Sequence, residues 1–353
     1  MTPLDAQRLD EAIALAHQAI GLSDPNPRVG CVIGREDGTV LGQGSTQRAG
    51  EAHAEVMALR DAAGSDLRGA TAWVSLEPCS HHGRTPPCCD ALVAAGIGRV
   101  VMAVGDPNPR VNGQGQQRLR AAGLRVDLGE PRHALAAREL NIGFFSRHER
   151  GRPWLRLKTA ASLDGRTALQ DGTSQWITGA EARADGHAWR RRAGAVVTGI
   201  GTVLHDDPRL DVRLVPTTLQ PLRVVVDSAL RLPPQARVLP VPGHALVVSA
   251  GAEDQRATRL RAAGAEVMAL PGADGRFTSF VETPLPPMTQ GQWGKLIDAN
   301  SDGKLSKEEF LKGAKEENKA KMETGFAAKD KDKDGNLTLE EFKAGGKKKK
   351  ADK

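Results

Sequence analysis

Glu77-Pro-Cys-Ser-His-His-Gly-Arg-Thr-Pro-Pro-Cys88, read together with His53-Ala-Glu55, decides what the first part of this chain is. One histidine and two thiols can hold a zinc ion and leave its fourth position open for a water. An ion held this way lowers the pKa of that water, so hydroxide is available near neutrality. Hydrolytic chemistry also needs a carboxylate that is not a ligand, able to take the water's proton and pass it on. Glu55, two residues after His53, stands where such a group is needed. Cys89 rivals Cys88 as the second thiolate, and spacing alone leaves both open. In the plainer alternative, His53 caps a helix and the cysteines are small core residues. The coincidence of His-Ala-Glu with Pro-Cys and Thr-Pro-Pro-Cys argues against it.

Around this centre the chain has the composition of an ordinary globular protein: 353 residues, 39% hydrophobic and 26% charged, enough for two or three domains. Aromatic residues make up 3%, with no tyrosine, which disfavours stacking on nucleic-acid bases. The net charge of +6 is only a mean surplus, which is weak evidence of a nucleic-acid partner without a clustered patch, so none is expected. Three of the four cysteines (Cys79, Cys88 and Cys89, but not Cys31) fall in the His- and Pro-rich loop, as a metal site would have them. Leu4–Ile20 has the pattern of an amphipathic helix rather than a signal peptide. No apolar run is long enough to span a bilayer. A reducing cytoplasm and no membrane partner are therefore expected.

Strand-like runs at Ala70–Leu76 and Arg99–Gly105 alternate with helical patterns before a boundary near Arg147–Pro153. Further strands are expected at Trp154–Ala160, Ala195–Gly199, Leu222–Asp227 and Ala245–Ser249, with helices at Ala180–Arg192 and Glu253–Ala263 between them. Such alternation predicts α/β layers with largely parallel pairing. Lysine usage marks a second seam. Residues 1–287 hold 32 Arg and one Lys, Lys158, whereas residues 288–353 hold 16 Lys and no Arg. Thr283-Pro-Leu-Pro-Pro287 lies at that seam as an extended linker.

Zinc-dependent base deaminases share His-x-Glu followed by Pro-Cys-x-x-Cys. The longer loop here, with Asn26-Pro-Arg-Val-Gly30, Gln47-Arg-Ala-Gly-Glu51 and Asp106-Pro-Asn-Pro109, resembles the bifunctional deaminase/reductase of riboflavin biosynthesis. The resemblance implies a cytidine-deaminase-like three-layer domain over 1–147. It implies His53, Cys79 and Cys88 as zinc ligands, Glu55 as proton shuttle, and Asn26, His81, Arg84, Asp106 and Asn108 around the substrate. The chemistry agrees, since Asn and Asp can read a pyrimidinone's amide edge and Arg84 can hold a phosphate. Taken singly, each is more often a turn residue or a solvated charge, and Asp-Pro-Asn-Pro would be an ordinary turn.

Leu157-Lys-Thr-Ala-Ala-Ser-Leu-Asp-Gly-Arg166, Ser174-Gln-Trp-Ile-Thr178, Gly201-Thr-Val-Leu-His-Asp-Asp-Pro208 and Val226-Asp-Ser228 resemble the first half of the partner reductase. That implies a partial dihydrofolate-reductase-like α/β domain over 151–280. The implied NADPH contacts are Ala160, Trp176, Thr202, Asp206 and Ser228. The implied substrate contacts are Ser174, Arg190, Leu210 and Arg213. Arg190 and Arg213 suit a sugar phosphate, and Trp176 offers a flat face to a nicotinamide, although a lone tryptophan is more often core. After Arg276 nothing resembles the family's cofactor-phosphate loop, so reductase activity is not expected.

Two calcium loops close the chain. Asp298, Asn300, Asp302, Lys304, Ser306 and Glu309 occupy positions one, three, five, seven, nine and twelve of one EF-hand loop. Asp330, Asp332, Asp334, Asn336, Thr338 and Glu341 repeat the pattern. Leu305 and Leu337 hold position eight, where paired hands share a short strand contact. An all-α pair is expected over 288–345, after the linker 281–287 and before a basic tail at 346–353.

The sequence therefore reads as an enzyme using zinc, binding calcium, and taking a small pyrimidine ribosyl phosphate. Assembly into identical copies is compatible with it. The rival reading is a calcium-binding interaction protein carrying an enzyme remnant.

Overall fold

The computed structural model describes residues 1–81, 86–109, 111–174, 176–251, 255–270, 304–306 and 336–338. By its contacts the chain divides into two compact units, Met1–Thr278 and Ser279–Lys353.

The first unit begins with helix α1, Pro3–Ala16. Thr2 and Asp5 close a reciprocal capping box at its start, and Pro3 takes the first turn, where a missing N–H costs nothing. Five strands follow: β1 Gly30–Gly34, β2 Val40–Ser45, β3 Thr71–Val74, β4 Arg99–Met102 and β5 Arg125–Leu128. They form one sheet in the order β2-β1-β3-β4-β5. The pairs β1/β2 and β1/β3 are antiparallel, and β3/β4 and β4/β5 are parallel. Between and after them lie helices α2 Ala54–Asp61, α3 Cys88–Ala94, α4 Gln114–Ala121, α5 Pro131–Leu140 and α6 Ile142–Arg150.

Alternate strand residues pack on opposite faces of this sheet. Val32, Trp73 and Val101 meet Leu9 and Ala12 of α1 and Ala137 of α5. Cys31, Ile33, Ala72 and Val74 meet Ala54 and Ala58 of α2, Leu92 of α3 and Leu119 of α4. The result is a three-layer sandwich buried on both faces, as the sequence leads one to expect. Gly44 of β2 brings α2 close: a Cβ there would lie 2.6 Å from the Ala58 amide nitrogen and 2.7 Å from the Ala54 carbonyl oxygen. That approach sets the height at which α2 carries its first turn over the sheet.

Residues 180–269 build a second sheet. Helix α7, Ala180–Arg192, leads to β6 Ala195–Gly199, α8 Ile200–Asp206, β7 Leu222–Val226, β8 Ala245–Ser249, α9 Gln255–Ala262 and β9 Ala265–Ala269. The sheet runs β6-β7-β8-β9, all parallel. Its core joins Val203, Val225, Val247 and Leu260.

The strand expected at Trp154–Ala160 is not formed. Residues 153–162 have no regular structure, and Leu155 and Leu157 are 70% and 88% exposed. The alternation of this stretch suits a strand, but a strand needs a neighbour to take up its backbone groups. β6 pairs only with β7, and no strand lies along its outer edge among the described residues.

In the second unit, strands β10 Lys304–Ser306 and β11 Asn336–Thr338 pair antiparallel with Leu305 opposite Leu337. This is the contact expected between paired calcium loops. The ligand positions Asp298, Asn300, Asp302, Glu309, Asp330, Asp332, Asp334 and Glu341 lie outside the described residues, as do the linker and the basic tail.

Candidate metal centre

His53 stands at the N-cap position of α2, but its side chain makes no capping bond. Its ring turns instead toward two sulfurs, with Nδ1 3.6 Å from Cys79 Sγ and 3.3 Å from Cys88 Sγ. Cys88 opens α3, and its backbone N–H donates to Cys79 Sγ at 3.3 Å. The three donor atoms lie within 4.8 Å of one another, a donor set and spacing that fit zinc. The structure thus brings together Cys79 and Cys88. Cys89 faces away, its thiol against the carbonyl oxygens of Pro78 and Gly115.

The two sulfurs lie close enough to shift each other's acidity. Cys79 is held well below the ordinary thiol range, chiefly by the thiol of Cys88 and further by the His53 ring and the Cys88 amide. Cys88 is correspondingly raised. A bound cation would favour the thiolate form of both. His53 is raised, first by its contact with Cys79. Glu55, in the first turn of α2 and 3% exposed, is raised to about 6, first by burial and then by the charge on Cys79. A carboxyl tuned toward neutrality can both accept and return a proton.

Asn26 lies in the loop that enters β1. Its amide donates to the Ser23 carbonyl at 2.8 Å, and its carbonyl accepts from Ser23 Oγ at 3.2 Å. Asp106 is buried, and its carboxyl is raised to about 6, first by desolvation. It accepts the Asn108 amide at 2.7 Å, so the Asp-Pro-Asn-Pro turn is real and also carries a near-neutral acid. His81 is exposed. Arg84 lies outside the described residues.

Glu77, to which no role was given above, organises this edge. It is 3% exposed. One carboxylate oxygen accepts from the amides of Asp106 at 3.2 Å and Gly113 at 3.1 Å, and the other from the Gln116 amide at 3.2 Å. Gly113, the N-cap of α4, has no side chain with which to cap, so Glu77 caps that helix from another segment. Gly115 admits the contact, because a Cβ there would lie 2.3 Å from the Pro78 carbonyl oxygen. An acid two residues before a ligand cysteine carries no signal of this role, which depends on tertiary approach.

In the second half, Arg190 donates to the Asp211 carbonyl at 3.1 Å, and Arg213 pairs with the buried Asp211 carboxylate at 2.7 Å. Leu210 beside them is buried with φ of 55°. Arg190 and Arg213 thus meet at one residue, Asp211. Ser174 is half-buried in an irregular stretch. The residues expected at NADPH fall on several elements. Ala160 is in the unpaired segment, Thr202 and Asp206 are exposed on α8, and Ser228 is half-buried after β7. Trp176 is 67% exposed rather than core, and the Arg183 guanidinium stacks on it at 4.5 Å.

A three-layer α/β sheet presenting one histidine, two thiols and a buried glutamate defines a zinc-binding deaminase domain. Residues 4–104 match the cytidine and deoxycytidylate deaminase zinc-binding region, residues 153–281 the RibD C-terminal domain, and residues 295–313 and 322–345 the EF hand. The chain is 45% identical over 269 residues to riboflavin biosynthesis protein RibD of Aquifex aeolicus, covering 76% of this chain and 74% of that protein. It is 49% identical over 252 residues to RibD of Escherichia coli, covering 68% of each. The Acinetobacter baumannii RibD structure matches with a TM-score of 0.69 and 43% identity, over 76% of this chain and 75% of that one. The chain belongs to the RibD family of riboflavin biosynthesis enzymes, with zinc, NADPH and calcium as the ligands of its three module types. No helix among the described residues is long and apolar enough to cross a membrane.

Proposed function

We propose that this chain hydrolytically deaminates a diaminopyrimidinone ribosyl phosphate at His53, Cys79, Cys88 and Glu55. The single observation carrying the reading is the convergence of those three donors beside a buried carboxyl raised to about 6. Zinc held there would supply Lewis acidity and a water of lowered pKa. Glu55 would accept one proton from the attacking water and deliver it to the ring nitrogen. It would then take the remaining hydroxyl proton of the carbon adduct and pass it to the amine, which leaves as ammonia as the carbonyl forms. Asn26, Asp106 and Asn108 read the amide edge of the ring, and His81 and Arg84 complete the surround. Glu77 positions the turn that carries Asp106 and Asn108.

Ammonia release from the purified chain with metal analysis tests this. One zinc per chain and turnover are expected, with both lost in Cys88→Ser and kept in Cys89→Ser. Metal loss in Cys89→Ser alone would reverse the ligand choice.

The reductase half, with Ser174, Arg190, Leu210 and Arg213 as its substrate residues and Ala160, Trp176, Thr202, Asp206 and Ser228 toward NADPH, is read as inactive on its own. The domains are taken as 1–147, 151–280 and 288–345, the last binding two calcium ions. The partner is the small substrate, without nucleic acid or membrane, in a reducing cytoplasm.

A further inference from the structure

The loop Gly21–Val29 carries Asn26 into β1, and both of its ends are tied to the reductase-like half. At one end the Thr218 hydroxyl donates to the Gly21 carbonyl at 2.7 Å. The surfaces touch there, since a Cβ on Gly21 would lie 3.2 Å from Arg191 Cγ and from Thr217 Oγ1. At the other end Arg28, 8% exposed, sends its guanidinium to two helix ends at once. It donates to the Leu140 carbonyl at 3.1 Å, where α5 stops, and to the Arg192 carbonyl at 2.8 Å, where α7 stops. Terminal carbonyls of a helix lack partners of their own and favour a cation, so this one side chain completes both ends. Asp24 sits against the same guanidinium at 3.3 Å. The backbone of Arg28 is held as firmly. Its amide donates to Asn141 Oδ1 at 2.7 Å, and its carbonyl accepts from Asn141 Nδ2 at 2.9 Å.

A solvated tether would account for none of this, because Arg28 and Asn141 are buried and each of these donors meets an acceptor. We infer that the reductase-like half, through Arg192 and Thr218, holds the Gly21–Val29 loop in the shape that presents Asn26 to the deaminase substrate. This half thereby serves the deaminase as a fixed wall, whether or not it turns over NADPH. Arg28 and Thr218 are positioning residues, and the inference rests on the reading of Asn26 as a substrate residue.

The test uses the full chain as wild type, Arg28→Lys, Arg28→Met and Thr218→Val. Ammonia release at varied substrate, zinc content and amide hydrogen exchange over residues 21–29 are measured together. Losing a charged hydrogen bond at Arg28→Met should raise KM about tenfold, with kcat within about twofold and zinc unchanged. Arg28→Lys, which keeps the charge but not the fork, should recover part of the loss. Thr218→Val, an exposed change in the other half, should raise KM by about two- to threefold, and all three should speed exchange in the loop. Faster exchange with an unchanged KM would overturn the inference. So would an equal fall of kcat and zinc content in Arg28→Met with no KM effect in Thr218→Val. If Arg28→Met fails to fold, KM in Thr218→Val and Arg28→Lys decides. A wild-type chain that releases no ammonia overturns the deaminase reading and this inference with it. An active wild type with unchanged variants overturns this inference alone.

Discussion

The two halves of the enzyme part are built from the same α/β vocabulary, but they differ in how far their surfaces are covered. Every residue of β1 and β3 is buried, whereas β6 alternates exposed and half-buried residues. Trp154, Leu155, Leu157, Leu163, Leu169, Trp176 and Val197 are all exposed in the second half, a run without counterpart in the first. A parallel sheet needs both faces and both edges accounted for. Relatedness to RibD runs through both halves, so kinship does not by itself guarantee that a site is assembled. In the first half, His53, Cys79 and Cys88 bring their donor atoms within 4.8 Å of one another. In the second, Arg190 and Arg213 both contact Asp211.

The largest effect should come from the first half. Glu55→Gln should keep zinc and lower ammonia release by about 10²–10⁴-fold, the usual worth of a positioned acid–base group. Metal analysis beside the kinetics checks it. Loss of zinc in this variant would make Glu55 a ligand and remove the proton shuttle from the scheme.

Next is the network that locks α1 onto the sheet. Asp5, 1% exposed, accepts from Trp73 Nε1 at 2.9 Å and from Arg99 at 2.8 and 3.0 Å. Asp5→Ala leaves Arg99 and Trp73 without that acceptor and should cost about 3–5 kcal/mol in denaturant unfolding. Burial alone would raise the Asp5 carboxyl, but the hydrogen bonds from Arg99, Thr2 and Trp73 outweigh it and hold it below the usual 3.8. A depressed acid contributes stability above its unfolded pKa and loses it as pH falls through the folded value. The gap between wild type and Asp5→Ala should therefore be full near neutrality and shrink below about pH 4. A gap independent of pH would mean that packing, not the ion pair, carries the cost.

How much of this was legible follows from where each role resides. The grouping of His53, Cys79 and Cys88 could be read because metal chemistry demands those residue types, whatever the surroundings. The strands from Ala195 to Ser249 could be read because buried β-branched runs leave few alternatives. Trp154–Ala160 was misread because alternation reports what a strand would bury, not whether a neighbour exists. Glu77 and Arg28 were silent because each acts on backbone groups from distant segments, which no local pattern records. Trp176 illustrates the limit of residue type, since a tryptophan predicts burial and here lies open beneath Arg183.

A paired truncation measures the contrast directly. Leu92, fully buried on α3, should lose about 2–5 kcal/mol as Leu92→Ala. Leu157→Ala, at a side chain 88% exposed, should change stability by less than about 0.5 kcal/mol. A cost above about 1 kcal/mol at Leu157 would show that this segment is packed in solution, and the difference between the halves would then narrow.

The smallest expected effect is no effect at all, when NADPH is added to an actively deaminating sample. Cofactor binding by a dinucleotide site depends on backbone N–H groups gathered at a helix N-terminus or nest around the phosphates. Of the residues implied at NADPH, Ala160 lies in a segment without regular structure, Trp176 is exposed, and Thr202 and Asp206 are exposed on α8. The match to the Aquifex aeolicus protein accounts for 74% of that chain's length. Arg190 and Arg213 both contact Asp211, one at its carbonyl and one at its carboxylate. Absorbance at the nicotinamide band, followed while ammonia accumulates, should stay at background over many deaminase turnovers. Sustained NADPH oxidation by the chain alone would mean that the site is completed by residues beyond those described. It would also erase the functional half of the contrast, while the exposure of Leu155 and Leu157 would still need a partner to explain it.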